Sequence, residues 1–320
     1  MSTFQGAMLL SLAVLLGAQE AEIGPAPGRL INIGARQLHL RCTGDGSPTV
    51  VIEAGASAFA IDFALVQPEI SMTTRVCSYD RAGSGWSDPR PDVETPIRVI
   101  RDLKALLDAG GEKPPFVMVG ASRGGVFVRL FQAEYSADVV GVVLIDPAAE
   151  DQLFVMFQGK AVALTSLTPE QHRSMQSTLP ATIAVPSRQP QTGAPFDRLP
   201  PPLYKTRVAL ERKLIASMPR TVSAEIAAES GSGDYAMLSQ LSAARKGNPV
   251  LLGDLPMTVL TRGLGSSPDQ QAAHAELSRM SRIGQHMVVT GAYHEIHLSH
   301  PEVVVKAVNA VVTQVREKKR

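Results

Sequence analysis

Almost no charge of either sign is left over in this chain. Its 320 residues carry 31 Lys and Arg against 30 Asp and Glu, a formal net charge of +1. Without a basic surplus there is no electrostatic footprint for phosphate backbones, so no nucleic acid partner is expected. Cysteine is as scarce. Cys42 and Cys77 are the only two, which excludes a disulfide-dense scaffold and leaves one bridge or two buried thiols. Long apolar runs are missing too. "AMLLSLAVLLGA", residues 7–18, falls short of the roughly 20 residues a membrane-crossing helix needs, so no stable membrane span is expected. No internal repeat is present, which argues against solenoids and propellers.

What is present is apolar content, 44% of the chain, enough for a sizeable core. The run at 7–18 has the length of a secretory h-region. No Lys or Arg precedes it, and Leu16-Gly17-Ala18 is the nearest approach to a cleavage site. Residues 1–21 are read as a signal peptide or an N-terminal tail, which makes a secreted or periplasmic location the expectation and a cytoplasmic one the alternative. In an exported protein a Cys42–Cys77 bridge would close a loop of about 36 residues. The chain-entropy model values that closure at about 4 kcal/mol.

Eight strand-like runs recur, at 29–34, 36–42, 48–55, 75–80, 115–122, 139–146, 257–263 and 285–292. Several, such as "VVGVVLID", are continuous and β-branched rather than alternating. That pattern marks strands covered on both faces, hence a parallel sheet. Helical periodicity alternates with them at 96–111, after residue 122, and in "PEVVVKAVNAVVTQVREKK" at the end. Strand–helix alternation predicts an α/β fold with right-handed crossovers. Residues 150–248 break the alternation: they are rich in Pro, Gln and Ser, then helical in "ALERKLIASM", "TVSAEIAAES" and "YAMLSQLSAARK". They are read as a helical insertion acting as a lid over a core built from 28–149 and 249–320.

Gly120-Ala121-Ser122-Arg123-Gly124 fits G-x-S-x-G. A buried-type strand precedes it and a helix follows, the context a nucleophile elbow requires. The alternative is a serine that merely caps the helix. Three further motifs stand in order around it: Glu53-Ala54-Gly55, "YDRAGSGWSD" at 79–88, and "HEIHLSHP" at 294–301. Together these resemble the α/β-hydrolase superfamily from about residue 36 to 315. The resemblance implies a mostly parallel eight-stranded sheet flanked by helices, a helical lid, and hydrolysis without a cofactor.

A serine hydroxyl needs a base. Seven histidines compete, at 39, 172, 274, 286, 294, 297 and 300. Chain order in this fold is Ser, acid, His. His294 follows the last strand run and precedes the last helix, and it matches the family's histidine. His294, His297 and His300 also read as H-x-x-H-x-x-H, but this is not the H-E-x-x-H zinc signature. One catalytic and two structural histidines, with no metal, is the reading preferred. The acid is ambiguous. Asp146 ends the strand run after the elbow helix, so its side chain should emerge at the sheet edge that carries Ser122. Asp269, after the run at 257–263, is the place many relatives use. Glu150 and Asp151 are weaker candidates.

By resemblance, the oxyanion donors are the backbone N–H groups of Ala56 and Arg123. The Arg123 side chain is expected to pair with acids near 150, or else to face an anionic substrate. Asp80 and Arg81 look structural, and Trp86 is a candidate pocket residue. The expected activity is cleavage of a small-molecule carboxylic ester through an acyl-enzyme on Ser122. Lyase, haloperoxidase, amidase or C–C hydrolase chemistry on the same elbow is the alternative, as is a non-catalytic binding relative. Epoxide hydrolase and dehalogenase chemistry would need Asp where Ser122 stands.

Overall fold

Strands that are apolar on both faces need helices on both sides, and the chain supplies them. The computed structural model describes residues 23–90, 93–152 and 154–318. The apolar run at 7–18, and with it the signal-peptide reading, lies outside the described residues. No helix among the described residues is long and apolar enough to cross a membrane.

The eight main strands are β1 (Arg29–Asn32), β2 (Gln37–Thr43), β3 (Thr49–Glu53), β4 (Val76–Tyr79), β5 (Phe116–Ala121), β6 (Val139–Ile145), β7 (Met257–Arg262) and β8 (Gln285–Val289). They form one sheet in the spatial order β1-β2-β4-β3-β5-β6-β7-β8. The β1–β2 and β2–β4 pairs are antiparallel, and all the others are parallel. After β3 the chain steps out to β4 and then returns to β5 on the other side. The C-terminal ends of β3 and β5 therefore flank the point where strand order reverses, the usual crevice of an open α/β sheet. Cys42 and Cys77 sit directly opposite each other in β2 and β4, and their sulfurs are bonded.

Side chains alternate along each strand, so the sheet serves two cores. Phe116 and Met118 of β5 pack with helix α1 (Pro96–Gly110) and helix α2 (Gly124–Glu134), through Ile100, Leu103, Phe127 and Phe131. Val117, Val119 and Ala121 face the other way. They meet the valine stripe 304, 308, 311, 312 and 315, presented by the last helix, Pro301–Lys318.

Residues 150–248 carry helices α3 (Pro169–Ser177), α4 (Pro201–Ser217) and α5 (Ala224–Gly247). They also hold two small antiparallel pairs that the periodicity does not predict, Phe154–Phe157 with Lys160–Ala163 and Thr182–Ala184 with Thr221–Ser223. The first pair turns at Gln158-Gly159, both at positive φ (49° and 75°), the twist that suits a two-residue hairpin. Thr221–Ser223 are strand rather than helix, because they pair with Thr182–Ala184, and the helical runs expected at 221–230 and 235–246 form one helix from Ala224 on. Gly233 inside it lies against the core: a Cβ there would come within 3.1 Å of Thr95. Between α5 and β8 lies α6 (Pro268–Ser278).

Candidate active site

The turn from β5 into α2 is tight enough to dictate its sequence. A Cβ on Gly120 would lie 2.7 Å from the Gly124 carbonyl oxygen, and one on Gly124 would lie 2.4 Å from the Glu53 carbonyl oxygen. Only glycine fits at either place. Between them Ser122 takes φ +52°, a left-handed conformation that costs about 1–2 kcal/mol. The surroundings hold it there. Its N–H donates to the Ile145 carbonyl at 2.9 Å, and its carbonyl accepts from the N–H groups of Gly125 (3.0 Å) and Ala148 (2.9 Å). Such a bend lifts the side chain clear of the sheet edge.

Asp146 stands at the neighbouring edge, one residue past β6, also at positive φ (42°). Its N–H donates to the Leu260 carbonyl of β7. Its buried carboxylate collects donors on both oxygens. Oδ1 accepts from the Arg262 backbone N–H at 3.0 Å. Oδ2 accepts from Arg262 Nη1 at 3.0 Å and from His294 Nδ1 at 2.5 Å. Burial alone would raise the Asp146 pKa, but the hydrogen bonds from His294 and the Arg262 N–H, with the charges beside them, hold it below the usual range. The carboxylate stays ionised. With Nδ1–H committed to Asp146, the Nε2 lone pair of His294 is free to accept a proton. Asp269 lies elsewhere, in the first turn of α6, beside a cleft shared with Asp151 and Glu276. Arg262, the last residue of β7, has no signal in the sequence that marks it for this place.

The loop after β3 is clamped from below. Glu53 is fully buried and accepts from the Tyr79 hydroxyl and from Arg81. Arg81 also donates to the carbonyls of Ala54 (2.7 Å) and Gly55 (2.6 Å). Two carbonyls turned toward one guanidinium orient the peptides that follow. Gly55 comes so close to Ser122 that an added Cβ would sit 3.3 Å from the serine Cβ. Among the described residues, neither the Ala56 N–H nor the Arg123 N–H meets a protein acceptor. Asp80 accepts from the Ala60 N–H at 2.8 Å and pairs with His39 at 2.7 Å. Trp86 lines none of the cavities at Ser122. It donates to the Gly24 carbonyl and packs on the His39 ring.

Residues 46–307 match the model of the alpha/beta hydrolase family. The chain belongs to that family. One relative is the YqjL protein of Bacillus subtilis (strain 168), 30% identical over 131 residues, 41% of this chain and 48% of that one. The chain spans less than half the length of the curated relatives it matches. The fold is similar to a thermophilic esterase from Thermogutta terrifontis (TM-score 0.58, 19% identity, covering 89% of this chain and 97% of that one). It is also similar to a meta-cleavage product hydrolase from Pseudomonas fluorescens IP01 (TM-score 0.59, 16% identity, 92% and 99%).

Three cavities open at Ser122 of this alpha/beta hydrolase, one of them, of about 220 Å³, between Asp146, Gln270 and His294. Another, of about 180 Å³, is lined by Ala56, Asp62, Arg207, His294 and His297 as well as the serine. The third, of about 250 Å³, is lined mainly by apolar side chains, including Val126, Phe127, Met237 and Leu238. Arg123 stands at this apolar cavity, but its partner is not an acid near 150. Its guanidinium reaches Asp234 of α5 at 3.1 Å. The acids near 150 are taken: Glu150 by Arg129 and Arg245, and Asp151 by Arg245, Thr165 and Ser242. Arg207 of α4 is itself buried, held by Asp62 at 3.2 Å and Glu211 at 2.5 Å. Burial pushes the Asp62 carboxyl up to about 6 against the pull of Arg207.

Proposed function

We propose that the protein is a serine hydrolase that cleaves a carboxylic ester through an acyl-enzyme on Ser122. The observation that carries this reading is the convergence at one sheet edge of Ser122 in its left-handed turn and His294 tied through Nδ1 to Asp146. His294 takes the proton of the attacking hydroxyl through Nε2. Asp146 holds the ring in the required tautomer and stabilises the imidazolium. The N–H groups of Ala56 and Arg123 receive the developing alkoxide. His294 then passes its proton to the leaving alcohol, and water, deprotonated by the same ring, releases the acid. No step calls for a cofactor. Residues 150–248, which wall two of the cavities through Arg207, Met237 and Leu238, serve as the lid.

The test is labelling with a fluorophosphonate probe beside hydrolysis of p-nitrophenyl esters. The wild type should label and turn over, and Ser122→Ala should do neither. A wild type that stays unlabelled, or a Ser122→Ala protein that labels, would overturn the reading.

A further inference from the structure

The three cavities at Ser122 are not equivalent with respect to the base. His294 lines the 180 Å³ cavity and the 220 Å³ one beside Asp146, and is absent from the wall of the 250 Å³ one. The ring that takes the serine proton must hand it to the leaving oxygen. Of the two cavities that His294 lines, only the 180 Å³ one also holds Ala56, the proposed oxyanion donor, so the leaving alcohol is placed there and the acyl chain in the apolar cavity.

The polar groups of the leaving-group cavity are mostly spoken for. Arg207 is held by Asp62, Glu211 and the Gln191 carbonyl at 2.9 Å. Asp62 also accepts from the Phe59 N–H at 3.1 Å. Arg188 donates to Ser57 at 2.8 Å. Glu295 also lines the cavity but is only half-buried; among the buried groups His297 is the exception. It is 4% exposed, and neither Nδ1 nor Nε2 has a hydrogen-bond partner. Its ring is fixed by stacking on Phe63, centroids 4.3 Å apart and planes within 17°. Buried polar atoms are nearly always paired, so two orphans on one ring at a cavity wall call for a partner from outside. Burial, helped by the nearby His294 and Arg207, pushes the ring pKa down to about 3. The imidazole is therefore neutral, with one donor and one acceptor nitrogen. A charged ligand group is disfavoured: Asp62 and Glu295 oppose an anion, and Arg207 and Arg188 oppose a cation.

We propose that His297 determines specificity by hydrogen-bonding a hydroxyl on the leaving-alcohol limb, so that the preferred substrates are short apolar acyl esters of hydroxylated alcohols. This rests on the reading of Ser122 as nucleophile and His294 as base. A hydroxyl both donates and accepts, so it satisfies whichever ring nitrogen it meets.

The experiment uses the full chain and butanoate esters in isosteric pairs that exchange a terminal methyl for a hydroxyl: propyl with 2-hydroxyethyl, butyl with 3-hydroxypropyl, pentyl with 4-hydroxybutyl. In at least one pair the wild type should favour the hydroxylated ester by about 5–10-fold in kcat/KM, the usual worth of one net hydrogen bond. His297→Leu should bring that ratio to one or below, and His297→Gln, which keeps a donor and an acceptor, should retain part of it. No preference in any pair with the wild type overturns the proposal, whether or not the variants fold. So does a preference that survives His297→Leu. Fluorophosphonate labelling of the same samples separates the two readings. An unlabelled wild type fails the nucleophile assignment, whereas a labelled one without the preference fails the His297 proposal alone.

Discussion

Replacing Asp146 with asparagine keeps the size and shape of the side chain and changes only what it offers its neighbours. Every neighbour of the carboxylate is a donor. The Arg262 N–H faces Oδ1, while His294 Nδ1 and Arg262 Nη1 face Oδ2. An amide must place its NH2 at one end, so either orientation sets donor against donor. With the NH2 toward His294, the ring is driven to the tautomer whose Nε2 carries hydrogen and cannot accept the serine proton. With the NH2 toward the Arg262 backbone, the tautomer survives but the charge beside the imidazolium is gone. That charge alone is worth about 4 kcal/mol at an effective dielectric near 20 and a separation of about 4 Å, or roughly a thousandfold in rate. Asp146→Asn should therefore lower kcat/KM on a p-nitrophenyl ester by about 10³-fold or more. Fluorophosphonate labelling should slow in proportion, and the far-UV spectrum should be unchanged. Asp269→Asn, in the first turn of α6, should stay within about threefold of wild type. Retention of a tenth of the activity by Asp146→Asn, or a loss of that size in Asp269→Asn, would refute this account of the acid.

Three other perturbations probe the surroundings. Because His297 has a folded-state pKa near 3 against about 6.5 unfolded, the unfolded chain binds the extra proton between those values. Its contribution makes stability fall as pH drops through that window. His297→Phe should remove the effect and gain about 2 kcal/mol on wild type between pH 6.5 and 4.5 in urea unfolding, whereas parallel pH profiles would contradict the buried neutral ring. Replacing both Cys42 and Cys77 with alanine should lower unfolding free energy by about 4 kcal/mol; a loss under about 1 kcal/mol would mean that the bridge constrains little. Gly124→Ala puts a methyl 2.4 Å from the Glu53 carbonyl oxygen. It should cost about 1–3 kcal/mol and slow labelling of Ser122, and a variant with wild-type stability and labelling would show that the elbow has slack.

The eight sheet strands are legible in the chain because the signal is local: continuous β-branched runs bounded by turns report burial on both faces wherever the strand ends up. The elbow is legible for the same reason, since tight strand-to-helix packing demands glycines at 120 and 124 on either side of the serine. The hairpin at 154–163 is not, because its strands are short and half-exposed and its turn signal is one Gln-Gly pair. Nor does the sequence single out Arg262 or Asp234. Each pairs with an ionised residue more than a hundred positions away.

What the sequence by itself determined, then, is the set of elements and the chemistry at their ends: an eight-stranded α/β sheet, a serine at the strand–helix junction, and a histidine after the last strand. Which groups meet was decided by the order in which the strands line up. Placing β7 between β6 and β8 carries Asp146 to His294 across 148 residues with Arg262 between them, and it leaves Asp269 on the outer helix. The return of the chain after Ser299 buries His297 over Phe63 with both nitrogens unpaired. Local periodicity records whether a residue is buried, but not beside whom. That comes from loop closures and sheet order, which are properties of the whole chain.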